Sequence, residues 1–596
     1  MRYRVSIPEP NGHLFQLELV VEEPDEALLL SMPVWTPGSY LVREYARHLE
    51  QMSAEDGEGR PLRVERIDKH RFRLEARGAA RAVVRYRVYA HELSVRTCHL
   101  DSTHGFINGA GLFLEVLGRS REAHELVVET PPGWRVATAL AVAAGGRDPF
   151  DPGQGEGAWH FTARDYDELV DSPLEIGTHE LVTFSALGKL HAVAVWGRGG
   201  ADPARFAEDV RRIVEYLGGF MGGLPYERYL FIVHLGPSGR GGLEHTASTT
   251  LLLKRSGFYP REAYEETLAL VAHEFFHAWN VKALRPAALV PYDYGREQYT
   301  RLLWWFEGVT SYYDHLVLLR AGLLDPRRYL KHLGESLTAL ARLPGALKMS
   351  LEEASYLAWV KHYRPDENSG NSAISYYLKG ELVALALDLA LRRGGRSLDD
   401  LVRSLYARHA GRGLPEDGVE EGLAAYLGEA SARTFFDRYV RGTGPLAMEL
   451  ETIGLEARRR AVEGPDDKGG TPPKQDLGAP AGWLGAELAG GPKLVVTSVR
   501  EGSPAWREGL YPGDEIVAER RFRIDRSALW SRMAECGSDG TLELTIFRRD
   551  ELVDVRVRLA PPPEDTVWVE FLQRATPAER AAFEAWSGQA FPVEGR

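Results

Sequence analysis

A multidomain α+β chain is the fold class this sequence predicts, on three observations. Residues 1–172 alternate apolar and polar side chains in short runs, the period of half-buried strands. Residues 173–455 carry mostly helical periods, with some strand at their entry. Residues 456–481 are charged and rich in Gly and Pro, the texture of a linker, and lead into a compact module at 482–562 and a short helical tail at 563–596. At 596 residues the chain is too long for one hydrophobic core.

The N-terminal domain reads as β-sandwich-like. In "LFQLELVV" and "AVVRYRVYAHELSV", Val84, Tyr86 and Val88 face one way and Arg85 and Arg87 the other. Turn clusters such as "WTPGSY" and "EDGEGRP" separate the runs. The second segment opens with a helix in "DPARFAEDVRRIVEYLGGFMG", with Asp202 as cap and Pro203 at the first helical position. A strand, "RYLFIVHL", and a glycine-rich loop follow, then helices in "REAYEETLALVAHEFFHAWNV", "LLWWFEGVTSYYDHLVLLRAG" and "ISYYLKGELVALALDLALRR". The tail helix starts at "TPAE", where Thr576 and Glu579 have capping-box spacing around Pro577.

Composition narrows the function. A formal net charge of -13 argues against nonspecific binding of nucleic acid or anionic membrane, both themselves negative. Cys98 and Cys536 are the only cysteines, which excludes a disulfide framework and a thiolate-rich zinc finger. Neither a signal-peptide pattern nor an uninterrupted apolar run of membrane-spanning length occurs, so a soluble cytoplasmic protein is expected. "GPSGRGGLEH" lacks the Gly-Lys-Ser/Thr ending of a phosphate loop. The histidines of "RTCHLDSTHG" fit packing or loop hydrogen bonds better than a second metal site.

The chemistry gathers at "VAHEFFHAWN", residues 271–280. With His273 at zero and about 100° per residue, His277 falls at about 40° and Glu274 at about 100°, while Leu268, Val271, Phe275 and Trp279 gather at roughly 160–240°. One stripe packs into a core and the other presents two imidazoles and a carboxylate. Zinc accepts these donors and keeps a fourth position for water. A third ligand is available in Glu307 of "WWFEGVTSYYD", sharing a helix face with Thr310, Ser311 and Asp314; the neighbouring Gly308 would admit another backbone. Glu274 diverges from the line joining the histidines and is placed as general base. Zinc, one ion per chain, would lower the pKa of a water and polarise a scissile carbonyl, although the same donors can hold cobalt or manganese.

Together "HEFFHAWNVKALRP", "FEGVTSYYD", "GGLEH", "SYYLKGELVALALDLALR" and "PVWTPGSYLVREYARH" resemble the glycyl aminopeptidase family, thermolysin-like metallopeptidases with a C-terminal PDZ domain. The resemblance spans nearly the whole chain. It implies an N-terminal β domain, a thermolysin-like catalytic domain and a PDZ domain, with cleavage of an N-terminal Gly or Ala from peptides. It implies that His273, His277 and Glu307 hold zinc and that Glu274 is the base. "GGLEH" is similar to the Gly-x-Met-Glu-Asn motif of the related aminopeptidase-N group, which places Glu244, with Gly242, at the substrate's amine; the match departs at Leu243 and His245. Tyr377-Leu378-Lys379-Gly380 matches that group's Tyr-x-Lys-Gly motif and implies that Tyr377 serves the transition state, with neighbouring Tyr376 a rival.

The C-terminal stretch "WLGAELAGGPKLVVTSVREGSPAWREGLYPGDEIVAERRFRI" resembles a PDZ domain, with Trp483-Leu484-Gly485-Ala486 as its carboxylate-binding loop, implying a peptide C-terminus as partner. The reading is therefore a zinc aminopeptidase acting on peptides with a free N-terminus. Two alternatives stand beside it: a zinc endopeptidase, and a non-catalytic PDZ adaptor that binds peptides.

Overall fold

The computed structural model describes residues 1–151, 153, 157–474 and 481–592. It comprises two compact units, one of residues 1–300 with 405–415 and the other of 301–404 with 416–596.

In the first unit, alternation produces the expected strands. An eight-stranded sheet has Arg2–Ser6, Leu14–Glu22, Arg81–Tyr89 and Leu49–Asp56 at its centre. Val84, Tyr86 and Val88 are buried while Arg85 is exposed. A four-stranded sheet containing Ala27–Ser31 and Arg71–Glu75 shares its core, to which Tyr3, Phe15, Leu30, Phe72 and Leu74 contribute. A third sheet pairs His104–Ile107 with Leu174–Gly177.

Strand content after residue 173 exceeds the expectation. A five-stranded sheet runs Glu180–Ala186, Lys189–Trp196, Arg228–Gly236, Ser248–Lys254 and Gly241–Glu244. Its inner pairs are parallel, and helix Pro203–Met221 makes the crossover between two of them. Asp202 caps that helix by accepting from Ala204 N and Arg205 N. Helix Arg261–Phe276 packs on Ser248–Lys254 and on the edge strand Gly241–Glu244. The sheet escapes a search for alternation because its central strand, "RYLFIVHLG", is buried on both faces.

The second unit begins with a π-helical turn, Trp304–Val309, that runs into helix Thr310–Arg320. Helices Pro326–Ala341, Leu351–Tyr356 and Tyr376–Arg393 surround it. The expected linker opens instead as a strand: Leu455–Arg460 pairs with Thr566–Phe571. Its outward Arg458 bonds Glu570 across the pair, so a charged run serves a half-exposed strand. Residues 475–480 of that segment lie outside the described ones. The module that follows is antiparallel, with strands Ala486–Leu488, Leu494–Val499, Glu515–Glu519, Thr541–Arg548 and Glu551–Arg558 and helix Arg526–Cys536. It has its own core, including Leu494, Val496, Ile516, Leu529 and Leu544. The tail helix Pro577–Ser587 shows the capping box, and its Trp586 Nε1 donates to Tyr312 Oη at 2.8 Å. Among the described residues, no helix is long and apolar enough to cross a membrane.

Candidate active site

His273 and Glu274 lie in the last turn of helix Arg261–Phe276, and His277 follows as its C-cap with backbone still right-handed. The stripe expected to stay open is buried as well: His273, Glu274 and His277 are 9%, 6% and 1% exposed. Polar groups are tolerated there because they face one another and the edge strand. The two imidazole rings stand 4.8 Å apart, 84° between planes. His277 Nδ1 lies 2.8 Å from the carbonyl oxygen of Asn280. A carbonyl only accepts, so Nδ1 carries the proton and Nε2 keeps the lone pair that a metal requires.

The edge strand Gly241–Glu244 supplies the next carboxylate. One ligand atom each of Glu244, Glu274 and His277 lies within 4.8 Å of the others. This close approach depends on glycine. A Cβ on Gly242 would fall on Glu274 Oε1, so only glycine lets the strand pass over that carboxylate. Gly38, at φ +85° in the "WTPGSY" turn, meets Glu244 in the same way. The sequence marks that turn as a strand boundary and as part of the family resemblance, but not its contact with Glu244, which joins segments far apart in the chain. Arg96 Nη2 donates to Gly242 O at 3.3 Å.

Glu307 and Tyr377 belong to the second unit. Glu307 is 2% exposed and sits inside the π-helical turn rather than in the regular helix the spacing predicts. The extra residue in that turn shifts its angular relation to Thr310, Ser311 and Asp314; Asp314 Oδ1 instead accepts from His315 N at the next position. The expectation for Gly308 holds. A Cβ there would lie 2.5 Å from Gly380 Cα and 2.9 Å from Tyr376 O, so helix Tyr376–Arg393 touches the turn backbone to backbone. Tyr376 is fully buried, whereas Tyr377 is half-buried with its ring 5.3 Å from that of His362. Burial holds the His362 imidazole below its ordinary range, partly offset by the negative charge of Glu307. Burial likewise lowers the Lys379 amine to about 8.

The candidates for holding a metal are thus two imidazoles, His273 and His277, and the carboxylate of Glu307. That donor set suits zinc. A further histidine–carboxylate group lies elsewhere in the first unit. Glu175 accepts from His104 Nδ1 at 3.0 Å and His234 Nε2 at 2.8 Å, all three side chains fully buried, and His104 stacks on Trp196 at 3.5 Å.

Residues 2–178 match the peptidase M61 N-terminal domain, and residues 266–383 match the M61 glycyl aminopeptidase family. A search of the curated proteins finds no match. Among solved structures, an aminopeptidase N family protein from Idiomarina loihiensis is 32% identical, with a TM-score of 0.91, over 98% of this chain and 99% of that one. An M1 zinc metallopeptidase from Deinococcus radiodurans is 14% identical with a TM-score of 0.51, over 75% of this chain and 94% of that one, a likeness of fold. With a relative matched from end to end, the chain belongs to the aminopeptidase N family, carries the two peptidase M61 domains in order and is a metallopeptidase.

Proposed function

We propose that the chain is a zinc aminopeptidase that removes a small first residue, Gly or Ala, from peptides with a free N-terminus. His273, His277 and Glu307 hold one zinc ion per chain. When bound, zinc lowers the pKa of a water and polarises the scissile carbonyl. Glu274 takes the proton of the attacking water and passes it to the leaving amine. Tyr377 donates its hydroxyl to the developing oxyanion. Glu244 pairs with the substrate's α-ammonium beside Gly242.

The observation that carries this reading is the approach of Glu244 to Glu274 and His277 within 4.8 Å. A carboxylate there attracts an ammonium and fixes the first peptide bond beside the base. The turn at Gly38 crowds that carboxylate and the strand at Gly242 crowds Glu274, which together favour a small first side chain. The test compares Gly- and Ala-leading peptides with their N-acetylated forms. The aminopeptidase reading expects the acetylated peptides to be cleaved at least a hundredfold more slowly, about the 3 kcal/mol of a lost charge-assisted bond. Equal turnover would instead indicate an endopeptidase.

For residues 482–562 we propose a PDZ domain that takes a peptide C-terminus. A groove of about 440 Å³ is lined in part by Leu484, Gly485, Ala486, Leu529, Trp530 and Met533. Ala486–Leu488 is the edge strand of its sheet, where a peptide can add as a further strand. A fluorescent peptide ending in a free carboxylate should bind the full chain more tightly than its C-terminal amide; equal affinity would overturn the proposal. The two cysteines, neither in a disulfide, suit the cytoplasm as its compartment.

A further inference from the structure

At His245, one of the two positions where "GGLEH" departs from the aminopeptidase-N motif, the chain meets a buried carboxylate. Glu244 ends its strand, and the turn His245–Ala247 returns the chain into Ser248–Lys254. Asp171, the C-cap of helix Tyr166–Val170, reaches this turn from the N-terminal β domain. Its Oδ2 accepts from Thr246 N at 2.9 Å and from Thr246 Oγ1 at 2.6 Å. Its Oδ1 meets His245 Nδ1 at 3.1 Å and accepts from Lys282 Nζ at 2.7 Å. Four donors fill the four lone-pair positions a carboxylate offers.

Lys282 connects this carboxylate to the histidine helix. Its backbone N donates to His277 O at 2.9 Å, while its side chain, 1% exposed, goes to Asp171. The same short segment supplies the Asn280 carbonyl that orients His277. Burial works against the charge of both partners, yet their attraction prevails: Asp171 stays well below the usual carboxylate range and Lys282 above the usual amine range. The link is therefore an ion pair held at both ends by backbone hydrogen bonds, a rigid arrangement.

We propose that Asp171 is a positioning residue: its carboxylate ties the turn after Glu244 to the segment after His277 and fixes the amine-binding carboxylate relative to the histidine helix. His245, which stands where the related motif has asparagine, is one of the groups that Asp171 anchors. The inference rests on the reading of Glu244 as the amine-binding residue. Asp171 touches no substrate; it acts through Glu244.

The test uses the full-length, zinc-loaded chain and a Gly-leading peptide in free and N-acetylated forms. Asp171→Asn leaves Lys282 buried without its counter-ion, so Asp171→Asn/Lys282→Met, which removes both charges, is measured beside it, with thermal melting to verify folding. Either variant is expected to raise KM for the free peptide about tenfold, to change kcat less than threefold, and to leave cleavage of the acetylated peptide unchanged. In a Glu244→Ala background the same substitutions should add nothing, because a residue that acts through Glu244 has no effect once Glu244 is absent. If free and acetylated peptides slow equally, or the effects multiply in the Glu244→Ala background, Asp171 is a structural residue only and the inference is overturned. If Glu244→Ala alone leaves the preference for the free amine intact, the reading of Glu244 falls first and takes the inference with it.

Discussion

Glu274 lies beneath a strand that only glycine at 242 could bring so close, an arrangement that constrains its carboxylate. A side chain fixed for proton transfer should be felt in turnover rather than affinity. Glu274→Gln is expected to lower kcat by about 10²–10⁴ with KM within twofold and bound zinc unchanged. An unaffected kcat would remove it as the base. Tyr377→Phe should lower kcat by about 10²–10³, whereas Tyr376→Phe should not, since Tyr376 is buried within its helix packing. Steady-state kinetics on a Gly-leading peptide checks all three. At this scale the sequence was informative where function sits in local spacing. His273 and His277 are four residues apart at the end of one helix, with Glu274 beside the first, and Glu244 and Tyr377 stand in short motifs. Asp171 and Gly38 were illegible because their roles exist only across contacts such as Asp171–Lys282, 111 residues apart.

Among the elements, the π-helical turn at Trp304–Val309 shows packing overriding local propensity. Its backbone is pressed against Gly380 at Gly308, and an added methyl has nowhere to go. Gly308→Ala should destabilise the chain by about 1–3 kcal/mol and lower Tm, measured by thermal melting. A glycine that tolerates alanine would mean the two backbones are not in contact. The spacing that predicts a helix here could not reveal the π turn, since one extra residue per turn leaves no mark in composition. Acid acts on the strand Leu174–Gly177 and on the connection that follows it. Burial lowers the His179 imidazole to about 4 from 6.5. A lowered base contributes stability fully above pH 6.5 and loses it as pH falls toward 4. Glu175 behaves in the same direction at lower pH: burial would raise its carboxyl, but His104 and His234 more than offset that and leave it at about 2. Its contribution is complete above about pH 4.5 and is lost as pH falls toward 2. Tm should therefore fall steadily from pH 7 to pH 4, and His179→Asn should flatten that fall. An equal slope in the variant would contradict the assignment.

At the scale of the whole molecule, the residues proposed for the chemistry fall in both units, His273, Glu274, His277 and Glu244 in one and Glu307 and Tyr377 in the other. The change from a β-rich to a helical texture was legible along the sequence, and so was the capping box that begins the last helix. The strand hidden in the charged stretch after residue 455 was not, because its outward arginines mask the alternation. Dialysis against a chelator should abolish peptidase activity, and one equivalent of zinc should restore it, if the ion is a cofactor rather than a contaminant. The account depends on His273, His277 and Glu307 holding that ion together. Elemental analysis of purified protein beside Glu307→Gln and His273→Ala tests it most directly. The prediction is about one zinc per wild-type chain and under about a tenth of that in either variant after identical dialysis, because loss of one of three ligands leaves too weak a site. A full equivalent of zinc retained by Glu307→Gln would contradict it.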